Sequence, residues 1–141
     1  MMPQRTLSPT AAPISFWDLI GAARGLWGGG KHRARLVQEL KRKFSAREVF
    51  LVSSGKAALT VILKALAASS GRRRVIVPAY TCFSVPSAIV RAGLDVVLCD
   101  VEPDTLDFNF AELEGLINKE VLCVVPTHLF GRPADVDRVK R

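Results

Sequence analysis

The stretch SSGKAAL, residues 53 to 59, sets two hydroxyls, a glycine and a lysine where an apolar run, EVFLV (48 to 52), gives way to a helical pattern. A strand that turns at a glycine and enters a helix gathers several unpaired backbone N–H groups in one concavity, at the positive end of a macrodipole of about +0.5 charge. Phosphate is the ligand such a concavity holds. Gly55 allows a tight turn and the approach of an anion to the backbone, and Ser53 or Ser54 can cap the helix or donate a hydroxyl. Lys56, in the first turn, opposes the dipole by a few tenths to about 1 kcal/mol, and a bound anion reverses that sign. The same lysine also continues a polar stripe with Thr60 and Lys64, which accounts for it without any ligand. A nucleoside-triphosphate P-loop is excluded, because Phe50 and Ala57 stand where it needs a glycine and a Ser or Thr. The Rossmann glycine fingerprint is missing as well.

Other reactive side chains are scattered. Cys82, Cys99 and Cys123 are an odd number at wide spacing, with no His or Cys near enough in sequence for a zinc knuckle. They fit a reduced, cytoplasmic setting and predict no metal site. His128, in PTHLFG, follows a strand's carboxyl end, where open α/β sheets place ligands. A role beside a ligand and a plain hydrogen-bonded structural histidine both remain open for it. Asp100 and Asp104 read as a strand end and a Pro-Asp turn, with no catalytic part.

The elements that must position these residues follow from the apolar pattern. The runs 48–52, 74–78, 95–100 and 120–126 are β-branched and apolar throughout, which is how strands buried on both faces of a parallel sheet read. Helical patterns lie between them at 56–69, about 83–92 and 110–117. Strand, helix and strand in alternation predict a layered α/β domain with right-handed crossovers. Ahead of it come a loose lead-in rich in Pro, Ser and Thr, a helix over about 15–27 capped by Ser15 and ended by GGG (28 to 30), and a basic helix over 32–44. The expected division is therefore 1–45 for the lead-in and helices and 46–141 for the α/β part. Pro133 opens a last short helix that no strand follows, so the α/β part reads as incomplete.

Bulk properties narrow the partners. The net charge of +7 raises the question of a polyanion, but the excess sits in KHRARLVQELKRKF (31 to 44) and GRRR (71 to 74), and no aromatic residues interleave with it to stack bases. The first segment reads as an amphipathic helix with a solvated basic face. Nucleic acid is not an expected partner. A membrane is not expected either, since Asp18 and Arg24 interrupt ISFWDLIGAARGLW.

Three segments in order, SSGKAALTVILKAL, then VIVPAYTCFSVPSAIVRAGLDVVLCDVEPDTLDFN, then VLCVVPTHLFGRPADVDRVK, resemble the N-terminal part of the DegT/StrS family of sugar aminotransferases over residues 48 to 141. The resemblance implies a mostly parallel sheet with helices on both faces, part of the large domain of a fold type I transferase that uses pyridoxal 5′-phosphate (PLP), cut short at Arg141. It implies transfer of an amino group from an amino acid such as glutamate to a keto-sugar nucleotide, by a ping-pong exchange in a cytoplasmic homodimer.

The site residues it implies are Ser54, Gly55, Lys56 and Ala57, whose amides hold the cofactor phosphate, and Cys82, beside the cofactor ring. Two departures from the family's pattern stand out. A Thr usually occupies the position of Lys56, and an aromatic residue the position of Cys82, so Phe83 is the other candidate for the ring contact. The lysine that carries the cofactor and the carboxylate that protonates its ring nitrogen fall beyond Arg141 in this reading, so no catalytic residue is expected within the chain and the fragment alone is expected to be inactive. A PLP-dependent dehydratase of the same family is an alternative, as is a non-catalytic basic module that binds nucleotides or nucleic acid.

Overall fold

The computed structural model describes residues 14–25 and 29–140. The chain divides into two compact units, Met1–Leu51 and Val52–Arg141. In the first, α1 (Phe16–Gly25) and α2 (Gly29–Phe44) are the two expected helices. Ser15 caps α1: its backbone and side chain both donate to Asp18, at 2.8 and 2.7 Å, and the Asp18 amide donates back to the Ser15 hydroxyl. These bonds hold the Asp18 carboxyl below its usual range. Lys31, Arg33 and Arg35 of α2 are exposed, as a solvated basic face requires. The expected end of α1 at Trp27 and Gly28 lies outside the described residues.

The second unit runs α3 (Gly55–Ser70), β1 (Arg74–Pro78), α4 (Ser84–Arg91), β2 (Asp95–Cys99), α5 (Phe110–Leu116), β3 (Val121–Val124) and α6 (Val136–Val139). The three strands form one parallel sheet in the order β2-β1-β3, with Val75 opposite Val96 on one side and Cys123 on the other. β1 therefore lies in the middle. Val75, Ile76 and Val77 have no exposed surface. Alternation along the strand splits them between the faces. Val75 and Val77 pack with Leu63 of α3 and Ile89 of α4, while Ile76 packs with Phe108, Cys99 and Leu113 of α5. Helices thus cover both faces of a parallel sheet, as the continuous apolar runs predict.

Local hydrogen bonds close α3 and open α5. Gly71 closes α3 in the left-handed conformation, φ +71°, and its amide donates to Ala67 at 2.9 Å. Asn109 opens α5 by accepting the Glu112 amide at 3.1 Å. The GRRR segment is spent locally: Arg73 donates to the Gly93 carbonyl, Arg72 to the Val121 carbonyl at 3.4 Å, and Arg74 pairs with Glu120 at 2.8 Å.

One expected strand is missing. Residues 48–52 are irregular, with Phe50 83% exposed, because a strand needs a partner for its amides and carbonyls and none of the three described strands pairs with this run.

Two substitutions test this packing by chemical denaturation. Leu63→Ala, which empties the space between α3 and β1, is expected to cost about 2–5 kcal/mol. Gly71→Ala is expected to cost about 1–2 kcal/mol, because a Cβ is strained in the left-handed region even though the space around it is open. A Leu63→Ala loss below that of Gly71→Ala contradicts the core assignment.

Candidate functional site

The turn that opens α3 is built by Ser54. Its backbone is extended, φ −164° and ψ 161°, and its hydroxyl oxygen accepts the Ala57 amide at 3.2 Å while its carbonyl accepts the Ala58 amide at 3.0 Å. The Gly55 and Lys56 amides precede the first helical bond and have no acceptor among the described residues. Ser54 spends its oxygen lone pair on Ala57 but keeps its O–H for another acceptor. A Cβ built on Gly55 meets nothing within 4 Å. Gly55 and Lys56 are both exposed, so the turn is accessible to a ligand.

A cleft of about 280 Å³ adjoins this turn, lined by Ser53, Ser54, Lys56, Ala57 and Thr60, with Arg91 entering from α4. Thr60 is buried, its hydroxyl donating to the Lys56 carbonyl at 2.9 Å with the Ala88 carbonyl at 3.4 Å. Lys56, Thr60 and Lys64 thus do not form a single solvated stripe. Val61 and Ile62, at 58% and 55% exposure, take the outer position that a polar stripe would fill.

Geometry carries α3's first turn to the carboxyl edge of the sheet. Gly71–Arg73 join its last residue to the start of β1, and Leu59, Leu63 and Ala67 pack on the Val75 and Val77 face, so the helix runs antiparallel to the strand. Its 16 residues span about 24 Å at about 1.5 Å each. The 5 residues of β1 span only about 17 Å at about 3.3 Å each. The unpaired amides therefore lie toward the carboxyl edge of the sheet.

The same edge carries the loops after β1 and β3. After β1 the chain turns into α4 on the Val75 face, whereas after β3 it turns into α6, whose Val139 packs with the Ile76 cluster on the other face. Neighbouring parallel strands whose connections leave on opposite faces form a topological switch point, the crevice where open α/β sheets bind ligands. Thr81 and Thr127 meet across it, hydroxyl to hydroxyl at 3.0 Å. Tyr80 and Phe130 stand beside each other with ring centres 6.4 Å apart. Phe130 holds a left-handed backbone, φ +51°, just before Gly131 at φ +79°.

Cys82 and Phe83 lie in the loop after β1, and both are exposed, Phe83 by 82%. The Ser84 hydroxyl donates to the Cys82 sulfur at 3.1 Å, and this bond, then the Ser84 amide, lowers the thiol below its usual range. The other two thiols move the opposite way. Burial, then the carboxylates of Glu112 and Asp100, pushes Cys99 up to about 11, and burial raises Cys123. His128 accepts the Ala134 amide on Nδ1 at 2.9 Å.

Ser54, Gly55, Lys56 and Ala57 are thus gathered in one turn, and Cys82 sits apart in the next loop and does not line the cleft beside α3. Sequence reasoning missed Arg91, Thr81 with Thr127, and Tyr80 with Phe130. The threonines are 46 residues apart and only the parallel register brings them together. No described helix is long and apolar enough to cross a membrane, and the described residues hold no group of three metal-ligating side chains.

Comparison with known proteins places this architecture. The chain is 26% identical over 110 residues to the pleiotropic regulatory protein of Geobacillus stearothermophilus, covering 78% of this chain and 29% of that protein. A Streptococcus pneumoniae protein given as a sugar aminotransferase, solved in PMP and PLP forms, is 30% identical in its PMP form, with a TM-score of 0.68 over 76% of this chain and 27% of its own. An Escherichia coli GDP-4-keto-6-deoxy-D-mannose-3-dehydratase with bound hydrated PLP shares the fold at 18% identity, with a TM-score of 0.77 over 92% of this chain and 36% of its own. The chain thus spans 29% and 27% of the first two relatives' lengths. The model of the DegT/DnrJ/EryC1/StrS aminotransferase family matches residues 21–141, and the chain belongs to that family.

Proposed function

We propose that this chain is the N-terminal portion of a PLP-dependent aminotransferase that moves an amino group from an amino acid such as glutamate to a keto-sugar nucleotide. The observation that carries this reading is the pair of unpaired amides at Gly55 and Lys56 over open space at the carboxyl edge. The donor set suits a phosphate monoester. Amide hydrogens and the Ser54 hydroxyl supply directed bonds, and Lys56 and Arg91 supply positive charge. PLP, when bound, supplies the electron sink that amino-group transfer requires.

The chain's own residues bind and orient in this reading. The Gly55 and Lys56 amides and the Ser54 hydroxyl anchor the phosphate end, and Ala57, whose amide Ser54 Oγ accepts, shapes the turn. Cys82 packs against the ring as a small polarizable group where the family usually has an aromatic side chain. Lys56 belongs to the phosphate end and is not the lysine that carries the cofactor, and that residue and the ring-nitrogen carboxylate are placed downstream of Arg141. Residues 46–141 act as the incomplete cofactor-binding domain, in a protein that assembles as a cytoplasmic two-fold dimer.

The second reading is a PLP-dependent sugar dehydratase, supported by the fold shared with the Escherichia coli dehydratase. The two separate on one measurement. In a chain of its relatives' length, an aminotransferase shows a visible absorption band that bleaches when glutamate is added, and a dehydratase that lacks the carrying lysine shows no lysine-linked band. Nucleic-acid affinity that falls steeply with salt, with no such band, contradicts both.

Gly55→Ala separates structure from binding. The substitution is expected to stabilise the 141-residue chain by about 0.4–1 kcal/mol, because the position is helical and open. It is expected to weaken PLP binding at least tenfold in a fluorescence titration, because the methyl group fills the approach to the amides. Unchanged affinity overturns the cradle.

The thiols make a pH test. Iodoacetamide is expected to modify Cys82 at a lower pH than Cys99 or Cys123, since its thiolate forms earlier. Ser84→Ala removes the donor and is expected to move the Cys82 midpoint to higher pH, as read by peptide mass mapping. Bound PLP is expected to slow the modification.

A further inference from the structure

The loop after β2 and the loop after β3 are tied together by one carboxylate. Asp107 accepts the Phe108 amide on Oδ1 at 2.8 Å and the Asp135 amide on Oδ2 at 2.6 Å. The amide before Asp135 belongs to Ala134, and it donates to His128 Nδ1 at 2.9 Å. Two consecutive N–H groups are thus shared between an acid from one loop and an imidazole from the other. Arg132 adds a bond to the Asp104 carbonyl, and Leu129 and Arg132 bridge each other, so the segment from His128 to Asp135 is held at several points. Leu106 sits in the left-handed region, φ +60°, immediately before Asp107, which marks a turn kept in a costly conformation by its surroundings.

The chemistry of the arrangement is specific. An imidazole nitrogen that accepts an amide hydrogen carries no proton, so neutral His128 holds its proton on Nε2. Nε2 has no partner among the described residues, and the ring is exposed at the carboxyl edge, in the loop that also carries Thr127. The bonding requires two acceptor oxygens on residue 107. Asparagine offers only one.

We propose that Asp107 is a positioning residue: by fixing the Ala134–Asp135 peptide it sets His128 as a one-sided hydrogen-bond donor, Nε2–H outward, for an oxygen acceptor bound at the carboxyl edge. Use of that donor in amino-group transfer rests on the function proposed above. The setting of the tautomer does not, and it is measured without cofactor.

The experiment is long-range ¹H–¹⁵N correlation on the uniformly labelled 141-residue chain at a pH where His128 is neutral. The expected spectrum shows a single tautomer for His128, with the proton on Nε2. Asp107→Asn is expected to convert it to a mixture of both tautomers while the amide signals of Val75, Ile76 and Val77 stay in place. Leu106→Gly is the control: it alters the neighbouring backbone, leaves both Asp107 acceptors, and is expected to keep the single tautomer. A proton on Nδ1 in the unsubstituted chain overturns the proposal. So does an unchanged tautomer in Asp107→Asn, or a mixture that appears equally in Leu106→Gly.

Discussion

Burial of β1 on both faces is the constraint from which the rest follows. Val75, Ile76 and Val77 have no exposed surface, so each must find an apolar partner above or below the sheet. Full burial of such side chains is worth about 1.5–3 kcal/mol each. That demand brings α3 and α4 to one face and α5 to the other. Once helices lie on both faces, the chain must leave neighbouring strands in opposite directions, and a crevice opens where it does so. The candidate site is thus a by-product of covering a two-sided strand.

Helix length then decides what enters the crevice. A helix matched in length to β1 would end level with the strand tips, with its first amides beside the sheet backbone. α3 is longer than that by about 7 Å, or roughly one and a third turns, on the rises of about 1.5 and 3.3 Å per residue. The three-residue joint Gly71–Arg73 keeps the other end near the start of β1, so the first turn points to the carboxyl edge. Ser54 closes the turn by taking the Ala57 amide and leaves those of Gly55 and Lys56 free.

The sequence was legible wherever one residue type answers to one local demand. Unbroken β-branched runs marked the strands at 74–78 and 95–99, but only β1 is covered on both sides; β2 lies at the edge of the three-stranded sheet and leaves Leu98 58% exposed. Ser15 and Ser54 likewise marked a helix start by local chemistry alone, whereas Pro133 did not: α6 begins at Val136, capped by Asp135, which accepts the Arg138 amide at 2.9 Å. What was not legible depended on distant partners. The run at 48–52 has the composition of a strand but no ladder among the described residues, and strand formation is a property of pairs. Thr60 looked like a solvent-facing residue between two lysines, yet its hydroxyl turns to backbone carbonyls and lets it be buried. The Thr81–Thr127 contact and the sharing of the Ala134 and Asp135 amides join residues 46, 6 and 28 apart, and no periodicity reports such pairs.

Lys56 shows how the levels combine. In its first-turn position a lysine works against the helix dipole, and the polar stripe that could excuse it is broken at Thr60. A charge there gains most when an anion sits at the turn, and Arg91 lines the same cleft. Both cations are exposed, so their pull is screened by salt over about 8–10 Å and adds attraction without fixing direction. Direction must come from groups that cannot move. Those are the two amides and the Ser54 hydroxyl, which the cap holds in place. A threonine at position 56 offers one more directed bond, and a lysine offers charge instead. On the proposed function, a lysine here trades geometric definition at a bound phosphate for longer-range attraction, and leaves Gly55 and Ser54 as the residues on which orientation depends.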